Sequence, residues 1–291
     1  MRTHELIKYP KQIRQKICNG VAVQVIFDLA RTTTVLLFLL YASWSDYKSR
    51  EVSDNVWLAL APISFALTYT ELFLYEPSQL IAYGACFGLT AAFALLLFYS
   101  GGFGGADAKA LMCLALALPF YPENLLTPLT GQPSPISTTF FPITVFSNSV
   151  LFAAMAAVAI VLYNVSSRFR TRQPLFEGDL KKESVGKKIL VLITGYKFSI
   201  NKLKEKWHVY PMEDVEENAE GNFKRKLVIL PKDEGRNEMV ERLDKAIEAG
   251  RMRDKVWATP GLPMLIFVTA GLIVALFAGD IVWVCIRLIL G

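Results

Sequence analysis

Apolar runs long enough to cross a bilayer are the feature that most limits what this chain can fold into. A helix of about 20 apolar residues spans a hydrocarbon core of roughly 30 Å. Of the 291 residues, 53% are hydrophobic, which is more than a water-soluble domain of this size usually carries. The candidate spans are 25–44, 56–75, 79–99, 109–121, 140–164 and 262–290, of which 109–121 is the shortest. The sequence therefore predicts an all-α polytopic membrane protein with about six transmembrane helices.

A lysine- and arginine-rich segment, residues 165–258, separates the fifth span from the sixth and has the composition of a water-soluble α+β module. The predicted strands are KKILVLIT (187–194), HVYPMEDV (208–215) and FKRKLVIL (223–230), with AEGN (219–222) as a turn. Helical spacing of apolar residues over 237–250 predicts a helix that ends at Gly250. The predicted parts are a membrane domain over 1–164, this insert over 165–258, and a last transmembrane helix over 259–291.

The charges of the loops predict an orientation. Loop 45–55 and segment 165–258 carry lysine and arginine, whereas loop 122–139 carries neither. The positive-inside rule then places 45–55, 100–109 and 165–258 in the cytosol, with both termini outside. Basic residues in 1–20 do not fit this orientation, and we expect that stretch to be an amphipathic helix in the membrane interface. The net charge of +5 is accounted for by this pattern, so the expected partner is membrane lipid and not nucleic acid.

The four cysteines are scattered and form no CxxC pair, and the chain has only two histidines. We therefore expect no structural zinc site, no disulfide framework, no metal and no cofactor.

Two acids, Asp46 and Asp107, lie at the edges of spans. Asp46 directly follows the first span and Asp107 directly precedes the fourth. Because two spans separate them, the chain returns to the same face between them, whatever the absolute orientation. An ionisable group at a membrane edge or inside a bilayer is costly and is a candidate functional residue by default.

A pair of neighbouring carboxylates can perform acid–base chemistry. Two carboxylates at close range hold one shared proton, so one can deprotonate a water while the other protonates a peptide carbonyl. Arg50 follows Asp46 by four residues and Lys109 follows Asp107 by two, which suits a tuned pair. The alternative is that both aspartates only cap helix ends.

The remaining acids at or near the spans are less informative. Asp28 and Arg31 are three residues apart and could pair on one helix face. Asp54, Glu71 and Asp280 have the placement of ordinary interfacial acids.

Glycines precede Asp107 in the stretch GGFGGADAKAL (101–111). Glycine lets another backbone approach closely and permits positive φ. We therefore expect Gly104, Gly105 and Ala106 to leave room for a substrate backbone beside Asp107. By itself this stretch could equally be a tight loop or a small-residue helix contact.

SDYKSREVSDNVW (45–57) and GGFGGADAKAL together resemble the two motifs of type IV prepilin and preflagellin peptidases. In that family an aspartate at the end of the first span is followed by Arg-x-Val/Ile, and the second motif is GxGD. VWATPGLPMLIFVTAGLI (256–273) is similar to the start of the last span in archaeal members. Ala106 departs from a strict GxGD. The paired-cysteine zinc loop of the bacterial branch is absent, which favours the archaeal, peptidase-only branch.

The resemblance implies a membrane-embedded aspartic endopeptidase of the cell membrane, with Asp46 and Asp107 as its catalytic residues. It implies precursors of archaellins and type IV pilin-like proteins as substrates, cleaved after a short basic leader at the cytosolic face. Two other hypotheses remain at this stage. A proton- or cation-coupled transporter or channel would use the acids as ion sites. A structural membrane subunit would use them only as helix caps.

Overall fold

Helices make up most of the structure, a computed structural model that describes residues 11–217, 223–229, 235–261 and 263–290. The helices are α1 Lys11–Ser49, α2 Asp54–Tyr75, α3 Leu80–Tyr99, α4 Gly105–Ala117, α5 Pro135–Thr139, α6 Phe141–Thr171, α7 Val185–Thr194, α8 Ile200–Glu205, α9 Arg236–Glu248, α10 Met264–Phe277 and α11 Ile281–Leu290. The strands are β1 Tyr196–Ser199, β2 Tyr210–Pro211, β3 Glu213–Glu217, β4 Phe223–Leu227 and β5 Lys255–Thr259. Short 3-10 turns cover Pro77–Gln79 and Gly178–Lys182.

Several of these helices are long and apolar enough to cross a membrane. Four segments meet this condition, namely Ala22–Ser49, Asp54–Tyr75, Pro77–Tyr99 and Phe141–Thr171. Helices α10 and α11 meet it only as a pair, bent by 64° at a short break, so the described residues contain four or up to five candidate spans. The chain is thus a mostly helical, multi-pass membrane protein with a small β-containing region towards its C-terminus.

The expected count of six spans is not confirmed, and the difference lies in the predicted fourth span. Residues 109–121 fold largely into α4, which has 13 residues. At about 1.5 Å per residue this helix covers roughly 20 Å, less than a hydrocarbon core of about 30 Å. Most of the side chains along α4 are buried, with Ala110 and Leu114 fully enclosed. Its apolar composition therefore reflects burial in protein.

The chain divides into two units, each described here by itself. One combines Met1–Phe152 with Pro263–Gly291, and the other is Ala153–Leu262. The division falls inside α6, so the three parts predicted as 1–164, 165–258 and 259–291 remain a prediction.

In the first unit, α4 packs against α2 and α3, while α1 packs against α2 and α10. Polar side chains fix the last helix pair on this core. The Ser43 hydroxyl donates to the Leu265 carbonyl at 2.9 Å, and the Tyr121 hydroxyl donates to the Leu276 carbonyl at 2.7 Å. These bonds satisfy carbonyl groups where water is scarce.

The second unit contains two antiparallel sheets. The larger has the strand order β1-β5-β2, with Tyr196 opposite Ala258 and Tyr210 opposite Thr259. The smaller pairs β3 with β4 and places Glu213 opposite Leu227. Helix α9 packs its apolar face, which includes Leu243, against this region.

The structure corrects parts of the sequence prediction for this unit. Residues 187–194 were predicted as a strand but form α7, whose first turn is capped by Ser184 through a bond from the Lys187 N–H. The segment 208–215 contains two strands, β2 and the start of β3, that join different sheets. Strand β5 was not predicted. The predicted turn at 219–222 lies outside the described residues.

The predicted helix over 237–250 is confirmed as α9. It ends at Glu248, and Gly250, two residues later, is left-handed with φ of 68°. The Gly250 N–H donates to Ile247 and the Arg251 N–H to Ala246, at 2.9 and 3.0 Å. This is a Schellman end, which glycine allows without steric cost.

Candidate active site

Asp107 lies in the first turn of α4, and its position is fixed by the glycine that precedes the helix. Gly104 is the N-cap residue, and its N–H donates to Asp107 Oδ2 at 3.0 Å. A carboxylate near a helix N-terminus is also stabilised by the helix dipole. The capping role considered from the sequence is therefore present in the structure.

Asp46 lies in the last turn of α1 and is half-buried. The helix ends at Ser49, and the N–H of the next residue, Arg50, donates to the Asp46 carbonyl at 3.0 Å. Arg50 has φ of 57°, a left-handed conformation that a non-glycine residue adopts at a cost of about 1–2 kcal/mol. The positive charge of Arg50 interacts electrostatically with the Asp46 carboxylate.

The charge of Asp46 acts on the carboxyl group of Asp107. Helix α1 packs against α4, the helix that carries Asp107 in its first turn. Burial raises the pKa of the Asp107 carboxyl to about 6, the hydrogen bond from Gly104 opposes the rise, and the charge of Asp46 adds to it. The two acids, 61 positions apart (107 minus 46) in the sequence, are thus near enough for the charge of Asp46 to affect Asp107.

The glycines before Asp107 have separate roles. Gly101 has φ of 77° and needs glycine for its backbone conformation. A Cβ on Gly104 would lie 3.2 Å from Asp107 Oδ2, which is tighter than an ordinary contact, whereas a Cβ on Gly105 would meet Phe98 at an ordinary 3.7 Å. Ala106 is within the first turn of α4, where alanine is well tolerated. The departure from GxGD at position 106 therefore causes no backbone strain.

Lys109 is directed to another acid. Its Nζ lies 2.5 Å from Asp54 Oδ1, which joins the start of α4 to the start of α2. Asp54 is largely exposed and Lys109 partly so, which means that the pair itself contributes little to stability.

The Lys109–Asp54 pair lies at the mouth of an apolar groove between α2, α3 and α4. The groove has a volume of about 400 Å³. Its other lining side chains include Trp57, Leu58, Phe87, Met112 and Leu116.

A buried charge cluster connects α1 and α2 away from the two aspartates. Arg31 forms ion pairs with Asp28, as the sequence predicted, and with Glu71 at 3.0 Å. All three residues are buried. Glu71 is therefore not the ordinary interfacial acid expected from the sequence.

Asp280 was also expected to be an interfacial acid but is buried. Its Oδ2 accepts from Ser134 at 3.0 Å, and its Oδ1 accepts the Trp283 N–H at 2.9 Å, which caps α11. In the ranges that the structure describes, no three His, Cys, Asp or Glu side chains form a group suited to a metal ion.

Comparison with known families identifies the chain. The profile described as the type IV leader peptidase family matches residues 33–163, which contain Asp46, Asp107 and the helices that hold them. The profile described as the archaeal peptidase A24 C-terminus, type II, matches residues 187–281. The chain belongs to the type IV leader peptidase family. It is therefore a peptidase, and the transporter and structural-subunit hypotheses are disfavoured.

Curated relatives of this leader peptidase family member are named preflagellin peptidases. The protein from Methanococcus maripaludis is 25% identical over 84% of this chain and 93% of its own length. The proteins from Methanococcus voltae and Methanocaldococcus jannaschii are each 27% identical, over 84% and 83% of this chain and 93% and 91% of their own lengths. The similarity thus extends over both units.

Sequence reasoning about this peptidase missed the partners of two residues. The groove and the Lys109–Asp54 pair depend on α2 and α4 packing together, which spacing along the chain does not reveal. Arg50 was selected for its distance from Asp46, but its left-handed backbone was not foreseen. The sequence SREVS (49–53) does not indicate a left-handed residue at position 50, since glycine or asparagine usually occupies that position after a helix.

Proposed function

We propose that this family member is a membrane-embedded aspartic endopeptidase that removes the short basic leader of preflagellin (archaellin) and type IV pilin-like precursors. Asp46 and Asp107 activate the water that attacks the scissile peptide bond. The observation that carries the proposal is the electrostatic interaction between these two acids at the adjoining ends of α1 and α4. The names of the curated relatives support the class of substrate.

In the proposed reaction, Asp46 is the general base and Asp107 the general acid. The positive charge of Arg50 interacts favourably with a negative charge on Asp46. The raised pKa of Asp107 favours its protonated form. Asp46 removes a proton from water as the oxygen attacks the peptide carbonyl, while Asp107 protonates the carbonyl oxygen. The proton taken by Asp46 then passes to the leaving nitrogen as the C–N bond breaks, and Asp107 takes a proton back from a hydroxyl group of the intermediate, so both aspartates return to their starting forms.

The groove between α2, α3 and α4 is the proposed site for the apolar segment that follows the leader. Its apolar wall suits a hydrophobic helix, and the polar Lys109–Asp54 pair lies at the end where α4 begins. Gly104 and Gly105 lie in the same turn and leave the backbone beside Asp107 accessible. The cleaved bond would therefore lie between a polar leader outside the groove and an apolar segment within it.

The proposed location is the cell membrane, with the two aspartates at its cytosolic face. Loop 45–55 carries Lys48 and Arg50, and the end of α6 carries Arg168 and Arg170, as the positive-inside rule requires for cytosolic segments. Two candidate spans, Asp54–Tyr75 and Pro77–Tyr99, separate the aspartates, which supports a common face for both. A full set of six crossings would need α4 and its flanking residues to span a locally thinned bilayer.

The test is leader cleavage of a preflagellin precursor by purified protein in vesicles. Asp46→Asn and Asp107→Asn should each lower the rate by at least about 100-fold, the usual range for removal of a general acid or base. Glu51→Gln is the matched control, because Glu51 is an exposed acid five residues from Asp46. Full cleavage by either aspartate variant would refute the proposed pair. Loss of cleavage in the control as well would indicate a general effect on this loop.

A further inference from the structure

Helix α7, in the second unit, has an apolar side that the described residues leave uncovered. Val185, Ile189 and Leu190 are 71%, 50% and 43% exposed. Val185 and Ile189 are four residues apart and therefore lie on one face, with Leu190 beside them. On the opposite side, Val191 is fully enclosed within the unit.

The end of α7 is attached to the membrane-spanning helix α6. Asn164, on α6, donates to the Leu192 carbonyl at 3.0 Å and to the Gly195 carbonyl at 2.8 Å. The Tyr163 ring makes an edge contact with Tyr196, directly after α7. These contacts fix the height of α7 relative to α6.

That height corresponds to the surface of the bilayer. Helix α6 has 31 residues. At about 1.5 Å per residue it is roughly 46 Å long, about 16 Å more than the hydrocarbon core. Asn164 is seven residues from the end of α6 at Thr171, which is roughly 10 Å along the axis. It therefore lies close to where the hydrocarbon gives way to headgroups.

Helix α6 also exposes large apolar side chains near Asn164. Leu162 and Phe169, which precede and follow Asn164, are 63% and 76% exposed on a helix that crosses the membrane. Exposed cations border both helices. They are Arg168 and Arg170 on α6, and Lys181 and Lys182 just before α7.

From this arrangement we propose that α7 lies in the interface of the bilayer in which the chain is embedded. Val185, Ile189 and Leu190 insert among the acyl chains, and the neighbouring lysines contact anionic lipid headgroups. An amphipathic helix with this distribution of residues binds a membrane surface through burial of its apolar side chains and through attraction of its basic side chains to anionic lipids. The second unit would then be held against the membrane by α6 and by α7 together. This proposal does not depend on the proposed peptidase mechanism.

The test places a spin label on α7 of the full-length protein in vesicles that contain anionic phospholipid. The four native cysteines are replaced by alanine, and Ile189→Cys carries the label. Glu248→Cys, at the exposed end of α9, is the matched control. Collision with oxygen, which concentrates in lipid, is compared with collision with a water-soluble nickel complex. Position 189 should favour oxygen and position 248 should favour nickel.

Three outcomes would overturn the proposal in different ways. Equal behaviour of the two positions would show that α7 faces water. Shielding of position 189 from both reagents would show that protein covers it. Persistence of the oxygen preference in neutral-lipid vesicles, and after Lys181→Gln with Lys182→Gln, would refute the part assigned to anionic headgroups. A shift of position 189 towards nickel in those two cases would support it.

Discussion

The two glycines before the proposed acid provide a sharp test of how Asp107 is held. A Cβ on Gly104 would lie 3.2 Å from Asp107 Oδ2, whereas ordinary contacts begin at 3.4 Å. The carboxylate would therefore have to move by at least about 0.2–0.4 Å. A misplacement of about 1 Å in an active site can cost 100-fold in rate, so Gly104→Ala should lower kcat about three- to sixfold.

Gly105→Ala is the matched control for this substitution. Its Cβ would meet only Phe98, at an ordinary distance of 3.7 Å. Neither glycine has a positive φ, so alanine is compatible with the backbone at both positions and restricts the unfolded chain equally. A difference in rate between the two variants would therefore report on Asp107 and not on folding.

The assay is steady-state cleavage of a preflagellin precursor in vesicles, with kcat and KM measured separately for both variants. We expect a lower kcat for Gly104→Ala and rates within about twofold of the unsubstituted protein for Gly105→Ala. Equal kcat values for the two variants would refute the reasoning. An increase in KM at constant kcat would show that the new methyl group obstructs the substrate and leaves the carboxylate in place.

Three further predictions concern charge. Arg50→Gly removes an arginine from a left-handed conformation, so thermal stability should be retained or raised. Cleavage should fall at least about fivefold, because the variant loses a charge interaction worth on the order of 1 kcal/mol. A fall in melting temperature with unchanged cleavage would contradict this prediction. Because the pKa of Asp107 is raised to about 6 and its proton is needed, kcat/KM should decrease as pH rises above about 6, and a flat profile from pH 5 to 8 would argue against Asp107 as the acid. Arg31→Met should lower the free energy of unfolding by about 3–5 kcal/mol, because Asp28 and Glu71 stay buried without a counter-charge. Combining this substitution with Asp28→Leu and Glu71→Leu should restore stability.

A common membrane face for the two aspartates is a prediction that depends only on the number of crossings between them. Two spans separate Asp46 from Asp107, and both are candidate spans in the structure. The ion pair of Asp28 with Arg31 could also be predicted, because residues three apart on a helix are neighbours. Both inferences use only local spacing or the order of elements along the chain.

Features that depend on distant residues could not be predicted in this way. Glu71 pairs with Arg31 from a different helix, and β5 lies opposite residues about 60 positions earlier, such as Tyr196. The apolar run 187–194 was assigned the wrong element because a short apolar run fits a strand and a buried helix equally well. Ser184, in the N-cap position, was the signal that favoured a helix there.

The helix cap made by Asp107 and its proposed catalytic role are compatible, because a carboxylate has two oxygens. Oδ2 accepts the Gly104 N–H and so fixes the side chain at the start of α4. We infer that Oδ1 is the oxygen that shares a proton with Asp46. On this basis Gly104 acts as a positioning residue, since its N–H orients the acid and its missing side chain leaves the carboxylate undisturbed. Asp107→Asn is then the informative substitution, because the asparagine carbonyl oxygen can still accept the Gly104 N–H and preserve the cap. The thermal stability of this variant should stay close to that of the unsubstituted protein, while cleavage is lost. If Asp107 only capped α4, the variant would keep both its stability and its cleavage activity.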